Sequence, residues 1–152
     1  MLVTMFPHTA TLYIITEDQV TFEQVTNITV LDGVLLDAAK ATNVKSSGLE
    51  NADSVTVYIP FGVSAMDGVT GNAKRYVSPK EYHAAADKSG VWTLDAAPPG
   101  DVTTFIVKGA VVEPDKDFQW INRIYDDVYR ISSVDMKDFG STEMQHWEVG
   151  GK

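Results

Sequence analysis

The residues that could carry chemistry are acids and histidines, and their spacing favours neither catalysis nor metal binding. Glu113, Asp115 and Asp117 occupy alternate positions, as the first ligands of a calcium-binding loop do. Phe118, however, stands where the turn glycine of that loop belongs. The three histidines lack the HExxH spacing of a zinc site: His8, His83 and His146. We therefore expect no enzyme, no bound metal and no cofactor.

Motifs of nucleotide-binding and hydrolytic enzymes are also missing. Residues 68–74, GVTGNAK, come nearest to a phosphate-binding loop, but their spacing is wrong. No GxGxxG or GxSxG motif occurs. Asp126 and Asp127 would point to opposite faces of a strand, so they do not make a general acid and base.

Composition indicates one globular domain spanning residues 1–152. A net charge of −9, without a basic patch, is unlike that of proteins that bind free nucleic acid. No apolar run approaches the roughly 20 residues that span a bilayer, so we expect no membrane partner. The chain has no cysteine, and its first residues do not resemble a secretory signal. Assembly in a bacterial cytoplasm is compatible with these features.

The dominant pattern has a period of two residues, which is typical of strands. In residues 54–60, Val55, Val57 and Ile59 alternate with polar neighbours and should face the core. Asp32-Gly33 indicates a bend or bulge inside a long strand. The fold class predicted is mainly β: a small antiparallel β-barrel or sandwich with two short helices and long loops. The predicted strands are 9–16, 21–36, 54–60, 91–94, 102–107, 128–134 and 144–149.

Two short helices are predicted at residues 78–87 and 117–125. Ser78 precedes a proline and Asp117 precedes an apolar turn, and both types of residue favour the helix N-cap. In the second helix, Phe118, Ile121 and Tyr125 share one apolar face.

Two segments read as long loops, 37–53 and 61–74, because they are small, polar or glycine-rich. Such loops are either mobile surface or become ordered against a neighbouring subunit. Residues 1–8 read as an apolar arm, tucked into its own core or buried in a partner. In the first loop, the candidate residues for a channel or a subunit contact are Asp37, Lys40, Lys45, Gly48, Glu50 and Asp53.

Large aromatic side chains are the candidate interface anchors, because each buries a large area. Trp147 and Val149 should lie on one face of the last strand. The three tryptophans could instead provide stacking surfaces in a ligand-binding module. The candidate anchors are Phe6, Phe118, Trp120 and Trp147.

Several blocks, taken in order, resemble a family of small tailed-bacteriophage proteins encoded among the head–tail joining genes. Members of that family are described as minor capsid or head-closure (stopper-like) proteins. The blocks are FPHT at 6–9, ADSVTVYIPF at 52–61, YVSPKEY at 76–82, Trp92, Gly100-Asp101, IVKG at 106–109 and HWEVGGK at 146–152.

The resemblance implies a virion protein of the neck, assembled in the host cytoplasm. It would form a homo-oligomeric ring, a dodecamer in that family, between the portal or adaptor and the tail proteins. A loop between early strands, here 37–53, would project into the channel and help to retain packaged DNA without sequence-specific contacts. The alternatives are a tail-completion (terminator) component of the same neck and a carbohydrate- or ligand-binding β-module.

Overall fold

The computed structural model describes residues 5–18, 20–39, 42–45, 48–51 and 54–152, with the backbone alone for 42–45 and 48–51. The described residues are mainly β, with α1 (Pro79–Ala84), α2 (Phe118–Ile124) and a 3₁₀ turn at Thr142–Met144. The strands are β1 (His8–Glu17), β2 (Gln24–Ala39), β3 (Thr42–Lys45), β4 (Gly48–Asn51), β5 (Ser54–Pro60), β6 (Ser64–Asp67), β7 (Arg75–Tyr76), β8 (Val91–Trp92), β9 (Thr103–Lys108), β10 (Val128–Lys137) and β11 (His146–Gly151).

In the described part of the chain, six strands close into an antiparallel barrel. Their order around the barrel is β1, β9, β10, β11, β5 and β2, and β2 pairs again with β1. Closure leaves these strands without a free edge. The predicted fold class is confirmed, and of its two forms the barrel is the one observed.

The long strand β2 connects three neighbours. Residues 24–34 pair with β1, 29–32 pair with β6, and 35–39 pair with β5. Gly33 has a φ of 96° and is skipped where the β1 register shifts. A glycine with positive φ is the residue expected at such a bulge, which increases local twist. The predicted irregularity at Asp32-Gly33 is confirmed.

The larger hydrophobic cluster fills the barrel interior, because all six barrel strands contribute to it. Val55, Val57 and Ile59 of β5 are at most 5% exposed, as their alternation predicted. Trp147 and Val149 of β11 face the same interior. The segment from β7 through α1 to β8 also contributes to this cluster, with Val77, Tyr82 and Trp92.

The second cluster lies on the outer face of the barrel, beneath α2. Tyr13 and Ile15 of β1 belong to it, and the ring of Tyr13 stacks on Phe105 with centroids 4.7 Å apart. Ile121 of α2 is fully buried against this cluster. β1 is buried on both faces, and residues 12–15 are accordingly apolar without alternation.

Both predicted N-caps are confirmed. Ser78 Oγ accepts the Glu81 N–H at 3.3 Å, and Asp117 Oδ1 accepts the Trp120 N–H at 2.9 Å. The first helix is shorter than predicted, because Ala85 already has an extended backbone. Gly90 therefore does not end it.

The predicted loop at 61–74 is wrong in part. It contains β6, which pairs with β2, and an isolated bridge between Met66 and Ala73. Asp67 Oδ1 accepts the N–H groups of Val69 and Thr70, which closes the turn. The last strand also begins later than predicted, at His146, because residues 142–144 form the 3₁₀ turn.

Candidate functional site

The two ends of the barrel carry different structures. β1 and β10 run in the same direction, because each is antiparallel to β9. The β1–β2 turn (18–23) and the β10–β11 turn (138–145) therefore lie at one end, which we call the upper end. The connection through α2 and the connection from β2 to β5 lie at the other, the lower end.

A hairpin made of β3 and β4 lies between β2 and β5 in the chain. Ala39 pairs with Ser54, and Thr42, three residues later, pairs with Asn51, three residues before Ser54. The two ladders therefore share one register. β3 and β4 form a two-stranded sheet without a third strand among the described residues.

The candidate residues of 37–53 are now placed as far as the structure describes them. Asp37 is exposed near the end of β2 and pairs with Thr56. Lys45 pairs with Gly48, and Glu50 lies in β4. Much of the segment is therefore strand, which corrects the prediction of an unstructured loop. Lys40 and Asp53 lie outside the described residues.

The four candidate anchors occupy three different settings. Trp147 is 4% exposed inside the barrel, where its ring centroid lies 4.4 Å from those of Phe61 and Tyr76. A partner could not reach it without opening the barrel. Phe118 and Trp120 are half-buried against the outer cluster. Residues 1–4 of the predicted arm lie outside the described residues, and Phe6 is half-buried.

A cation lies over the ring of each of the two α2 aromatics. The guanidinium carbon of Arg130 lies 4.2 Å from the ring centroid of Phe118, and the Lys116 ammonium lies 4.9 Å from that of Trp120. Such contacts are worth about 0.5–1 kcal/mol at exposed positions. Both aromatics are therefore packed and covered, and they do not form an open stacking platform.

A cavity of about 720 Å³ opens at the upper end. Its walls are the top of the β1–β2 hairpin (16–18 and 25–27), α1 with the following turn (82–83 and 86–89) and residues 99–102. Asn27 Nδ2 joins two of these walls by donating to the Lys88 carbonyl at 2.8 Å. We call this space the upper-end cavity.

Acidic side chains outnumber basic ones in the lining of the upper-end cavity. Among the described residues its acidic members are Glu17, Asp18, Asp67, Asp87 and Asp101, and Lys88 is its one lysine. The pKa of Asp18 is lowered by the N–H groups of Thr21 and Val20. The pKa of Asp87 is lowered by the side chain and N–H of Ser89. The lining is therefore negatively charged at neutral pH.

Behind this wall lies a buried lysine that sequence reasoning missed. The Lys74 side chain is fully buried, and its ammonium lies 3.4 Å from Asp67 Oδ2. It also donates to the Ile28 carbonyl at 3.1 Å, to Thr29 Oγ1 at 3.0 Å and to Asn27 Oδ1. Burial lowers the pKa of Lys74, and the Asp67 carboxylate opposes that shift.

Each of the three histidines contacts a different group of the protein. His83 Nε2 lies 3.0 Å from Asp95 Oδ2, His146 Nε2 lies 3.2 Å from Glu148 Oε1, and His8 Nδ1 accepts the Leu36 N–H. No group of three or more potential ligands that could hold a metal ion occurs in the described ranges.

Sequence reasoning missed the cavity because its walls come from parts of the chain that are far apart in the sequence. One signal was present, since acids that begin turns recur along the chain. Asp18, Asp67 and Asp87 each accept a backbone N–H two residues further on. Nothing in the sequence indicates that these turns meet.

A family model matches residues 5–152, which is nearly the whole chain. The chain belongs to DUF6751, a family of unknown function. No curated protein and no solved structure matches the chain. Among the described residues, no helix is long and apolar enough to cross a membrane.

Proposed function

We propose that this protein is a structural virion component that forms a ring in the head–tail connector of a tailed phage. The ring would join the portal or adaptor to the tail and help to retain packaged DNA. The proposal combines the resemblance of the sequence blocks with the barrel and with one feature of the lower end.

The feature that carries the proposal is the β3–β4 hairpin. Its pairs keep the register of the β2–β5 pairs, and it pairs with no third strand in the described part of the chain. A solitary two-stranded ribbon is marginally stable in water. We therefore expect the hairpin to be ordered by contacts outside the barrel. A neighbouring subunit and a channel lining both meet that condition.

The alternative of a carbohydrate-binding module has less support. Stacking on a sugar needs an exposed aromatic face. Trp92 and Trp147 are 2% and 4% exposed, and Trp120 is half-buried beneath Lys116. The three tryptophans of the chain therefore provide no open platform.

The shared register gives a precise way to remove the hairpin. Replacing residues 40–53 with Asn-Gly would join Ala39 to Ser54, which already face each other, through a two-residue turn. The matched control replaces only residues 46–47 with Asn-Gly and keeps β3 and β4. Both proteins should retain the barrel, as circular dichroism and thermal unfolding can check.

Oligomeric state is read first, by size exclusion with light scattering and then by electron microscopy. We expect the control to form rings and to complement a phage that lacks the gene. If the hairpin is a gate, the shortened protein should form rings and virions that leak DNA. If it is interface padding, rings should fail to form. If the shortened protein gives fully stable, infectious virions, the hairpin is neither a gate nor interface padding.

A further inference from the structure

The upper-end cavity is flanked by apolar side chains that point away from the core. Val20, Phe22 and Val25 of the β1–β2 hairpin are 86%, 73% and 52% exposed, and Val25 also lines the cavity. Large exposed apolar groups clustered on one tip are typical of interaction sites, whereas single ones are common on any surface.

The backbone of this tip holds Phe22 in an unusual conformation. Its φ is 60°, in the left-handed region that costs a bulky residue of the order of 1 kcal/mol. The Phe22 N–H donates to the Asp18 carbonyl at 2.8 Å, and the Asp18 N–H donates to the Glu23 carbonyl at the same distance. The turn therefore presents an exposed aromatic ring where glycine would fit more easily.

A buried polar group also belongs to the cavity lining. Tyr82 is fully buried, and burial raises the pKa of its phenol to about 12, so the group keeps its proton. The hydroxyl lies beside Asn27 but has no hydrogen bond of acceptable geometry to the described residues. A buried donor without a partner is costly, so this part of the cavity wall is held in place at some expense in stability.

We propose that the upper-end cavity and the β1–β2 tip together bind a basic segment of a partner protein. Lysine or arginine side chains of the segment would enter between Glu17, Asp87 and Asp101, and its apolar residues would pack on Phe22 and Val20. The negative charge of the lining favours a positively charged partner. The apolar tip provides contact area that loses its water on binding.

The same features argue against two other occupants. A second copy of this chain carries a net charge of −9 and offers no basic patch in its sequence. A free polyamine would use the carboxylates, but it carries no apolar side chain to pack on the exposed ring of Phe22. The occupant that uses both halves of the site is a peptide segment, and this inference does not depend on the connector role.

The experiment is a titration of ¹⁵N-labelled protein, followed by amide chemical shifts, with a 12-residue peptide of three Gly-Lys-Leu-Lys repeats. Two further probes are the same peptide with glutamate in place of lysine, and spermidine. The test variants are the double reversal Glu17→Lys with Asp101→Lys, and Phe22→Gly. The matched control reverses two exposed acids at the lower end, Asp37→Lys with Asp115→Lys. The spectrum of each variant also reports whether it is folded.

We expect saturable binding of the lysine peptide, with the largest shifts at the β1–β2 tip, α1 and residues 99–102. The upper-end reversal should raise the dissociation constant about tenfold or more, while the lower-end reversal should change it by less than about threefold. Phe22→Gly should weaken the binding of the lysine peptide and leave the affinity for spermidine unchanged.

Four results would overturn the inference. The first is that the lysine peptide does not bind even at low salt, and the second is that both reversals weaken its binding equally. The third is that the chemical-shift changes are spread over both ends of the barrel. The fourth is that spermidine binds as tightly as the peptide and that Phe22→Gly changes neither affinity.

Discussion

The ammonium of Lys74 lies 3.4 Å from the carboxylate of Asp67, and the lysine side chain is entirely buried while 19% of the aspartate side chain remains exposed. Lys74 follows the turn that Asp67 begins, and its other acceptors, including Ile28 and Thr29, belong to β2. One charge therefore ties the β6 turn to a barrel strand behind the upper-end cavity.

Lys74→Met should lower the free energy of unfolding by about 3–5 kcal/mol. Methionine has a similar shape but removes the ammonium from Asp67 Oδ2 and from its three acceptors in β2. Breaking a buried pair by removing one partner costs about that much. Urea unfolding measures the change. Lys80→Met, at an exposed position of α1, should stay within about 0.5 kcal/mol. Equal effects of the two substitutions would show that the buried ammonium does not stabilise the fold.

The same pair predicts a pH dependence. Burial acts to raise the pKa of Asp67, but the N–H groups of Thr70 and Val69, together with Lys74, outweigh it and lower the pKa. A carboxyl whose folded pKa lies below its unfolded value of about 3.9 stabilises the fold fully above that value. The stabilisation is lost as the pH falls through the folded pKa.

We therefore expect the unfolding free energy of the wild type to exceed that of Asp67→Asn at pH 6. The gap should narrow as the pH falls below about 4. Urea unfolding between pH 7 and pH 2.5 checks it, and the exposed Asp115→Asn serves as the control. A difference between the two proteins that stays constant over this range would contradict the lowered pKa of Asp67.

Trp147→Ala should lower the unfolding free energy by about 3–5 kcal/mol, the range for a large buried aromatic. Its ring lies among Phe61, Tyr76 and Trp92, so truncation leaves a cavity inside the barrel. The control is Met144→Ala, at a side chain 69% exposed. Deleting residues 143–152 removes β11 and opens the barrel, so that protein should fail to fold. A deletion variant with unchanged thermal stability would refute the closed barrel.

Local patterns in the sequence predicted much of the fold. The alternation in 54–60 placed Val55, Val57 and Ile59 correctly, and the caps at Ser78 and Asp117 located both helices. Each of these signals depends on neighbours within a few residues. Barrel closure depends on β1 meeting β2 on one side and β9 on the other, which no local pattern encodes.

The surfaces were harder to predict than the fold for the same reason. Trp147 was a candidate anchor because its size suits an interface. It packs in the core because it lies on the face of β11 that points into the barrel. The upper-end cavity collects acids from segments as distant as Asp18 and Asp101. The hairpin of β3 and β4 was read as a loop because the segment 37–53 is small, polar and nearly free of large apolar groups. Its pairs nevertheless keep the register of β2 and β5.

The final glycine of the barrel gives a steric prediction. A Cβ on Gly151 would lie 2.8 Å from the Arg130 carbonyl oxygen and 3.0 Å from Val55 Cγ1. Strand β11 thus passes between β10 and β5 so closely that the backbone of β10 leaves no room for a methyl group. Relief requires movement of that backbone, which cannot rotate away as a flexible side chain would.

Gly151→Ala should therefore lower the unfolding free energy by about 1–3 kcal/mol, the usual cost of overpacking. Gly90→Ala is the matched control, because a Cβ there would meet nothing within 4 Å. Its stability should change by less than about 0.5 kcal/mol. Thermal and urea unfolding compare the two proteins under identical conditions. If Gly151→Ala is as stable as Gly90→Ala, β11 does not approach β10 this closely, and the pairing that closes the barrel needs revision.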